Sequence, residues 1–275
     1  MQLDVRLRES DHVYLDSKNK IYQSTTTLIG NFKEKFDPFK IMKNGKTLID
    51  NYVEKHGHSR EYWFAQWDLT KELACASGTA FHKLKEDKAL FSKYFKTSGK
   101  TRKIQHFDKI VEANPGISYY DLPDGVYPEL TIFNRRYMVA GQADRVIKEG
   151  EEFDIEDFKT NKKFDKVSFR HPRHGFKMMK HPANKLMDCH LGHYTLQLNI
   201  YAWYLAEFGL RPRNLSILYY YLSPEERHAL LQGWDIGNKE PERINVPVNL
   251  QLAKGIIMHN NYYFRKSKRS DMYLI

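Results

Sequence analysis

Asp144, Asp157 and Lys159 are the residues whose types and spacing best suit them to act together. They lie in the stretch 137–159, where two runs rich in β-branched and aromatic residues flank a short polar break, the pattern of a β-hairpin. Gly150-Glu151 suits a two-residue type II′ turn, which wants Gly at its first central position. If Glu149 then pairs with Glu152, counting back along both strands sets Asp144 directly opposite Asp157. Opposed residues share a face, with Cβ atoms roughly 5 Å apart, and the side-chain period of two adds Lys159 to that face. Two carboxylates so close repel one another unless a cation or a shared proton lies between them. A hard divalent ion takes such oxygens and keeps waters and substrate phosphates in its shell. An ammonium group alongside can hold a water or stabilise charge on a phosphate.

Several elements must position this trio. Residues 127–133 read as a strand, with a turn at Asn134-Arg135-Arg136, so a three-strand antiparallel meander is expected. Glu129 on that strand is a third acid within reach of the face, or else an ion-pair partner of Arg135 or Arg136. From Glu61 to about Leu90 the pattern is helical, with Trp63, Phe64, Trp67, Leu69, Leu73 and Ala74 as an apolar stripe. His82 and Glu86, one turn apart, share a face of that helix. A second strong helix runs from Leu191 to Phe208, stopped by Gly209, with Gln197 and Tyr201 polar-tipped on one face. A buried strand is expected over 214–222, with a hairpin partner over 228–234. An amphipathic helix over 248–264 and the basic tail 265–269 end the chain. At the other end, 12–23 read as a small hairpin. The Ser24-Thr25-Thr26-Thr27 run after it has hydroxyls able to cap a helix starting near Leu28 or to meet a phosphate there. Residues 31–58 are read as one or two short helices, and 91–127 as a loop-rich connection with one helix over 101–113.

The formal charge of +10 is concentrated rather than spread. Residues 159–185 hold Lys159, Lys162, Lys163, Lys166, Arg170, Arg173, Lys177, Lys180 and Lys185 against a single acid, Asp165. A basic run that begins at the lysine of the site lies where a phosphate backbone would have to run, which makes nucleic acid the expected partner. Hydrophobic residues make up 41% of the chain and aromatics 14%, enough for a sizeable core. No apolar run is long enough to span a bilayer, and the N-terminus lacks the apolar stretch of a secretory signal. These features and the two cysteines fit a reducing cytosol. The cysteine count also excludes a four-cysteine iron–sulfur cluster within the chain. His171, His174, His181, Cys189, His190 and His193 form the set for a rival zinc module, in no recognisable finger spacing. There is no Gly-rich phosphate loop, no Gly-x-Ser-x-Gly elbow and no His-Glu-x-x-His.

The order Gly78 to His82, Glu129, Gly141 to Asp144, Asp157 to Thr160, Gln197 to Tyr201 resembles the RecB-like branch of the PD-(D/E)XK nucleases. The hairpin before the Ser/Thr run is similar to that of phage-encoded members and of the mitochondrial genome maintenance exonuclease, so the likeness spans about Ser24 to Leu222. It implies an α/β, restriction-endonuclease-like core, a central mixed β-sheet flanked by helices, with an N-terminal hairpin and helical extension. On this reading 1–275 is one nuclease domain: an N-terminal cover over 1–76, the catalytic core over 77–222, and a hairpin, helix and basic tail over 223–275. The resemblance implies a Mg²⁺- or Mn²⁺-dependent deoxyribonuclease, an exonuclease on single-stranded or end-opened DNA leaving 5′-phosphate and 3′-hydroxyl ends. Asp144, Asp157, His82 and the Phe158 carbonyl would hold metal, and Glu129 a metal-bound water or second ion. Lys159 would position the attacking water, and Gln197 and Tyr201 would orient substrate and lysine. Ser24, Thr26 and the basic run from Lys162 to Lys180 would meet DNA. Any helicase or recombination partner would be a separate polypeptide, and the alternative is an inactive, DNA-binding accessory protein on the same fold.

Overall fold

The computed structural model describes residues 3–35, 37–43, 45–97, 99–171 and 175–271, without the side chains of 42, 43, 97 and 262–271. Three N-terminal strands, β1 (Arg6–Arg8), β2 (Val13–Leu15) and β3 (Ile21–Ser24), lead into α1 (Thr25–Gly30). The small hairpin β4 (Met42–Lys43) and β5 (Lys46–Thr47) precedes α2 (Leu48–His56) and the long α3 (Arg60–Ser92). A second hairpin, β6 (Tyr94–Thr97) and β7 (Lys100–Lys103), and α4 (Phe107–Ala113) follow. Then comes the meander β8 (Gly125–Asn134), β9 (Val139–Glu149) and β10 (Glu152–Lys159). The basic segment folds only the short β11 (Arg170–His171) and β12 (Gly175–Phe176) before α5 (His190–Ala206). The chain continues through β13 (Arg211–Tyr219), α6 (Pro224–Leu231), β14 (Glu242–Val246) and α7 (Leu250–Asp271).

The fold is α/β, with one mixed sheet flanked by helices. Its path is β1-β2-β3-β9-β10-β13-β14, and β8 pairs along the other edge of β9. Two pairings are parallel, β3 with β9 and β10 with β13. β9 is shared: Val139 and Ala140 pair with β3, whereas Arg145–Glu149 pair with β10. A fork therefore opens between β9 and β10 beyond Arg145 and Glu156, at the level of Asp144 and Asp157.

α5 lies on one face of the sheet and is buried from Thr195 to Leu205. It has no solvent-facing stripe because α1 and α7 cover its outer side. Ile155 of β10 joins this larger core. On the opposite face Phe158 packs with Phe81 of α3, Leu218, Tyr220, Leu222 and Leu230 of α6. The alternation along β10 thus sends Asp157 and Lys159 to one side and Phe158 to the other.

Four expectations fail for identifiable reasons. The predicted strand 228–234 is the end of helix α6 and the turn after it, because Ser223-Pro224-Glu225-Glu226 is a capping box with Pro at the first helical turn; the partner of β13 is β14 instead. The stripe of α3 is not core: residues 68–76 are exposed all round, with Leu69 and Leu73 each 48% accessible. The first turns of α3 pack on α2, Tyr52 lying 5.4 Å from both Trp63 and Trp67, and on Phe39, 5.6 Å from Phe64. The N-terminal strands are not a cover but part of the sheet, and α1 starts at Thr25 rather than Leu28, capped by Ser24. Finally, the connection 91–127 contains the β6–β7 hairpin as well as a helix. The backbone of 265–269 continues α7.

Candidate metal centre

The turn at Gly150, with φ +57°, sets the pair Glu149↔Glu152, and the ladder runs to Arg145↔Glu156. One residue further the strands separate, and the Asp144 carboxylate accepts the Phe158 N–H across the gap. Lys159 sits 2.6 Å from Asp157 and donates to the Phe158 carbonyl at 3.1 Å. Glu129 comes from β8 between the pairs Pro128↔Arg145 and Leu130↔Ala143, so it stands beside Asp144 on the neighbouring strand. Its φ of +47° is uncommon for a non-glycine residue, a local strain the ladder on either side holds in place. Gln142 donates to the Glu129 carbonyl at 3.0 Å. Arg135 is not its partner: that guanidinium pairs with Asp4 and Asp16.

α3 enters this row from the side. Ser77 is fully buried and Gly78 lies so close to Thr160 that an added Cβ would sit 3.4 Å from its Oγ1. One turn on, His82 places Nδ1 3.2 Å from Asp144 and 3.8 Å from Glu129. His82, Glu129 and Asp144 each offer a ligand atom within 4.8 Å of the others, the one such group among the described residues. The His171–His193 set is not brought together: His193 pairs with Asp188, His190 with Asp165, and His174 lies outside the described residues.

The electrostatics are those of a charge cluster hidden from water. Burial raises the Asp157 and Glu129 carboxyls above their usual range, and Asp144 pushes both further. Burial acts on Asp144 in the same sense, but His82, Lys159 and the Phe158 N–H outweigh it and hold the group ionised. For His82 burial opposes the charge, yet Asp144 and Glu129 win and lift it to about 10. Lys159 is likewise kept protonated by Asp157 and Asp144 against its burial. Asp157 is 1% exposed, and neither oxygen receives a well-directed hydrogen bond among the described residues. The Lys159 ammonium 2.6 Å away is the cation that offsets the burial of this carboxylate. His82, Glu129 and Asp144 bring one imidazole and two carboxylates together, a donor set that suits Mg²⁺ or Mn²⁺, with Asp157 outside that group.

The α5 residues divide. Gln197 donates to the Tyr201 hydroxyl at 3.2 Å, both are buried, and neither hydrogen-bonds Lys159 among the described residues. Tyr201 instead lies on Gly141, where an added Cβ would meet its ring at 2.5 Å. The aromatic neighbour of Lys159 is Tyr194, its ring centroid 4.8 Å from Nζ and its hydroxyl bonded to Asn161. Arg227 of α6 ties Ser77 to the Thr160 carbonyl and so joins α3 to the end of β10. Neither Tyr194 nor Arg227 stands out in the sequence, though Tyr194 lies one turn before Gln197 on the same helix.

Ser24 spends its hydroxyl on the Thr27 N–H at 3.1 Å, with Thr26 at 3.1 Å. In the basic run Lys163 pairs with Asp165, Lys166 with Glu242, and Lys177 with both Glu34 and Asp188. Arg170 stacks on Phe176, Lys162 and Lys180 are exposed, and Arg173 lies outside the described residues. No helix among the described residues is long and apolar enough to cross a membrane.

No family model matches the chain, and no curated protein does. Among solved structures, one described as the crystal structure of SSO0001 aligns over 56% of this chain and 55% of that one, at 18% identity and a TM-score of 0.20. The chain thus spans about half the length of that structure.

Proposed function

We propose that the protein is a Mg²⁺- or Mn²⁺-dependent deoxyribonuclease with a PD-(D/E)XK core, acting as an exonuclease on single-stranded or end-opened DNA. The observation that carries this reading is the row of Glu129, Asp144 and Asp157 on three adjacent strands, flanked by His82 and Lys159. His82, Asp144, Asp157 and the Phe158 carbonyl would hold the ion. A divalent ion there supplies Lewis-acid stabilisation to a phosphodiester and acidifies water.

The chain's own groups do the rest. Lys159 carries its positive charge at the mouth of the carboxylate row, where it can orient a water and offset charge building on phosphate oxygens. Asp157 keeps that ammonium in place, and Glu129, whose carboxyl is raised by burial and by Asp144 before any ion binds, would hold a metal-bound water or a second ion. Tyr201 and Gln197 act from beneath by fixing the strand that bears Asp144, rather than by touching Lys159.

A gel assay with circular and linear DNA in Mg²⁺, Mn²⁺ or EDTA tests the reading. Cleavage that needs the ion and disappears in Asp157→Asn and Lys159→Ala is expected. A wild-type chain that binds DNA but leaves it intact with either ion is instead an inactive binding protein, and undiminished turnover by Lys159→Ala removes the assigned chemistry.

A further inference from the structure

We propose that Tyr194 is a positioning residue for Lys159: its ring caps one side of the ammonium and leaves a single N–H of that group to meet water or phosphate. The inference rests on the nuclease reading and deepens it, because the two polar residues of α5 expected beside the lysine, Gln197 and Tyr201, bond to each other instead. The Lys159 ammonium stands over the Tyr194 ring, 4.8 Å from its centroid. An ammonium has three donors and no acceptor. Asp157 lies 2.6 Å from it and the Phe158 carbonyl 3.1 Å, so two of the three are taken within the site. With the ring against a further side, the third is confined to the mouth of the carboxylate row. A lysine stem is flexible, so two bonds at its tip do not by themselves fix where the third donor aims. A ring face attracts the cation without a directed acceptor; it steers the ammonium and leaves that donor free.

The ring itself is held from several sides. Its hydroxyl donates to Asn161 Oδ1 at 2.8 Å, two residues beyond Lys159. The Asn161 carbonyl in turn accepts the Tyr219 hydroxyl at 3.0 Å. The Leu191 N–H donates to the Asp165 carbonyl at 3.1 Å, and the Asp165 N–H to His190 Nδ1 at 3.1 Å. Segment 160–165 is therefore tied to the first turns of α5, and the lysine and the ring are kept together by bonds on both sides of their contact. Phe164 and His190 pack against the ring, at 5.9 Å and 6.1 Å between centroids. A leucine at 194 would fill the same corner between them, but it would offer the ammonium no charge-attracting face.

Two readouts test this, one of them free of catalysis. In NMR spectra of protein with isotope-labelled lysine, recorded in EDTA, the ring should shift the Lys159 ε-methylene signal upfield, and Lys159→Ala identifies that signal by removing it. Tyr194→Leu should return it to the position of an ordinary lysine, whereas Tyr194→Phe, which keeps the ring, should keep the shift. In Mg²⁺-dependent cleavage of linear DNA, Tyr194→Leu should lower kcat roughly tenfold with KM within about twofold of wild type. Tyr194→Phe should recover most of that loss. Tyr194→Met, equally without a ring, repeats both readouts if the leucine variant unfolds. A Lys159 signal that is not upfield in wild type, or that stays upfield in Tyr194→Leu, overturns the proposal. So does an unchanged kcat, a change in KM alone, or a Tyr194→Phe protein as slow as Tyr194→Leu, which would move the effect from the ring to the hydroxyl. A ring-dependent upfield signal in a chain that cleaves no DNA with either ion sinks the nuclease reading and leaves the contact standing.

Discussion

Gly141→Ala is the substitution whose outcome the geometry fixes most tightly. A Cβ at this position would lie 2.5 Å from Tyr201 Cε1, 2.6 Å from its hydroxyl and 2.9 Å from Thr25 Oγ1. Nothing nearby yields easily: Tyr201 is 2% exposed on a fully packed helix, and Thr25 is held by its bond to the Ala140 carbonyl. Overpacking of this kind costs about 2 kcal/mol, which for a chain of this size lowers Tm by roughly 4–8 °C. The strand that must shift carries Asp144, so the loss should extend to ion affinity. Thermal unfolding of Gly141→Ala, Tyr201→Leu and the double variant is the assay. Removing the ring should recover about 1 kcal/mol of the alanine's cost, a coupling well outside additivity. A Gly141→Ala protein as stable as wild type, or single effects that simply add, would show that Tyr201 is not why glycine stands there.

Three further outcomes follow from the charges and packing. The Mn²⁺-induced rise in Tm should grow with pH between about 5 and 8. Asp157 and Glu129 have raised pKa values when folded, so their contribution is present below the unfolded values of 3.8 and 4.5 and is lost as pH rises through the folded ones; the ion offsets that loss, and a shift independent of pH in differential scanning fluorimetry argues against these ligands. Leu69→Glu and Leu73→Glu should each change stability by less than about 0.5 kcal/mol, because the exposed stretch of α3 buries neither side chain; chemical denaturation showing a core-sized loss would contradict this. Arg227→Ala should destabilise by about 2 kcal/mol through the Thr160 carbonyl it strands, and Arg227→Lys should recover part of this in the same measurement.

The parts of the site that were legible in the sequence are those set by short-range rules. Turn chemistry at Gly150 and a side-chain period of two give the register of β9 and β10 as far as Arg145 and Glu156, whereas the direct pairing of Asp144 with Asp157 expected beyond it gives way to the fork. The helix containing His82 follows from its own pattern. Its contact with Asp144 does not, because it depends on where α3 crosses the sheet, and only the likeness to a known motif order brought His82 forward. The apolar stripe of α3 misleads for the converse reason: periodicity states that a helix has an apolar side, not that a partner exists to cover it. The error at 228–234 was avoidable, since the capping box at Ser223 is a local signal.

Glu129, within reach of the face by its strand alone, enters the row by a route the sequence does not show. Its side chain belongs to the row through an interruption of the β8–β9 ladder and a left-handed backbone, which no residue pattern encodes for a glutamate. The same fork that separates β9 from β10 frees the Phe158 N–H for Asp144 and leaves the Asp157 oxygens without a backbone donor. An unbroken sheet would have satisfied those backbone groups within the ladder and left the carboxylates no shared space. Strand separation and the proposed ion seat are thus one feature, and closing the fork would raise the stability of the sheet while removing the carboxylate row. That trade predicts where the metal-free protein opens most readily: the Phe158 amide at the fork should exchange faster than the amides paired inside the β9–β10 ladder, and should slow more than those when Mn²⁺ is added.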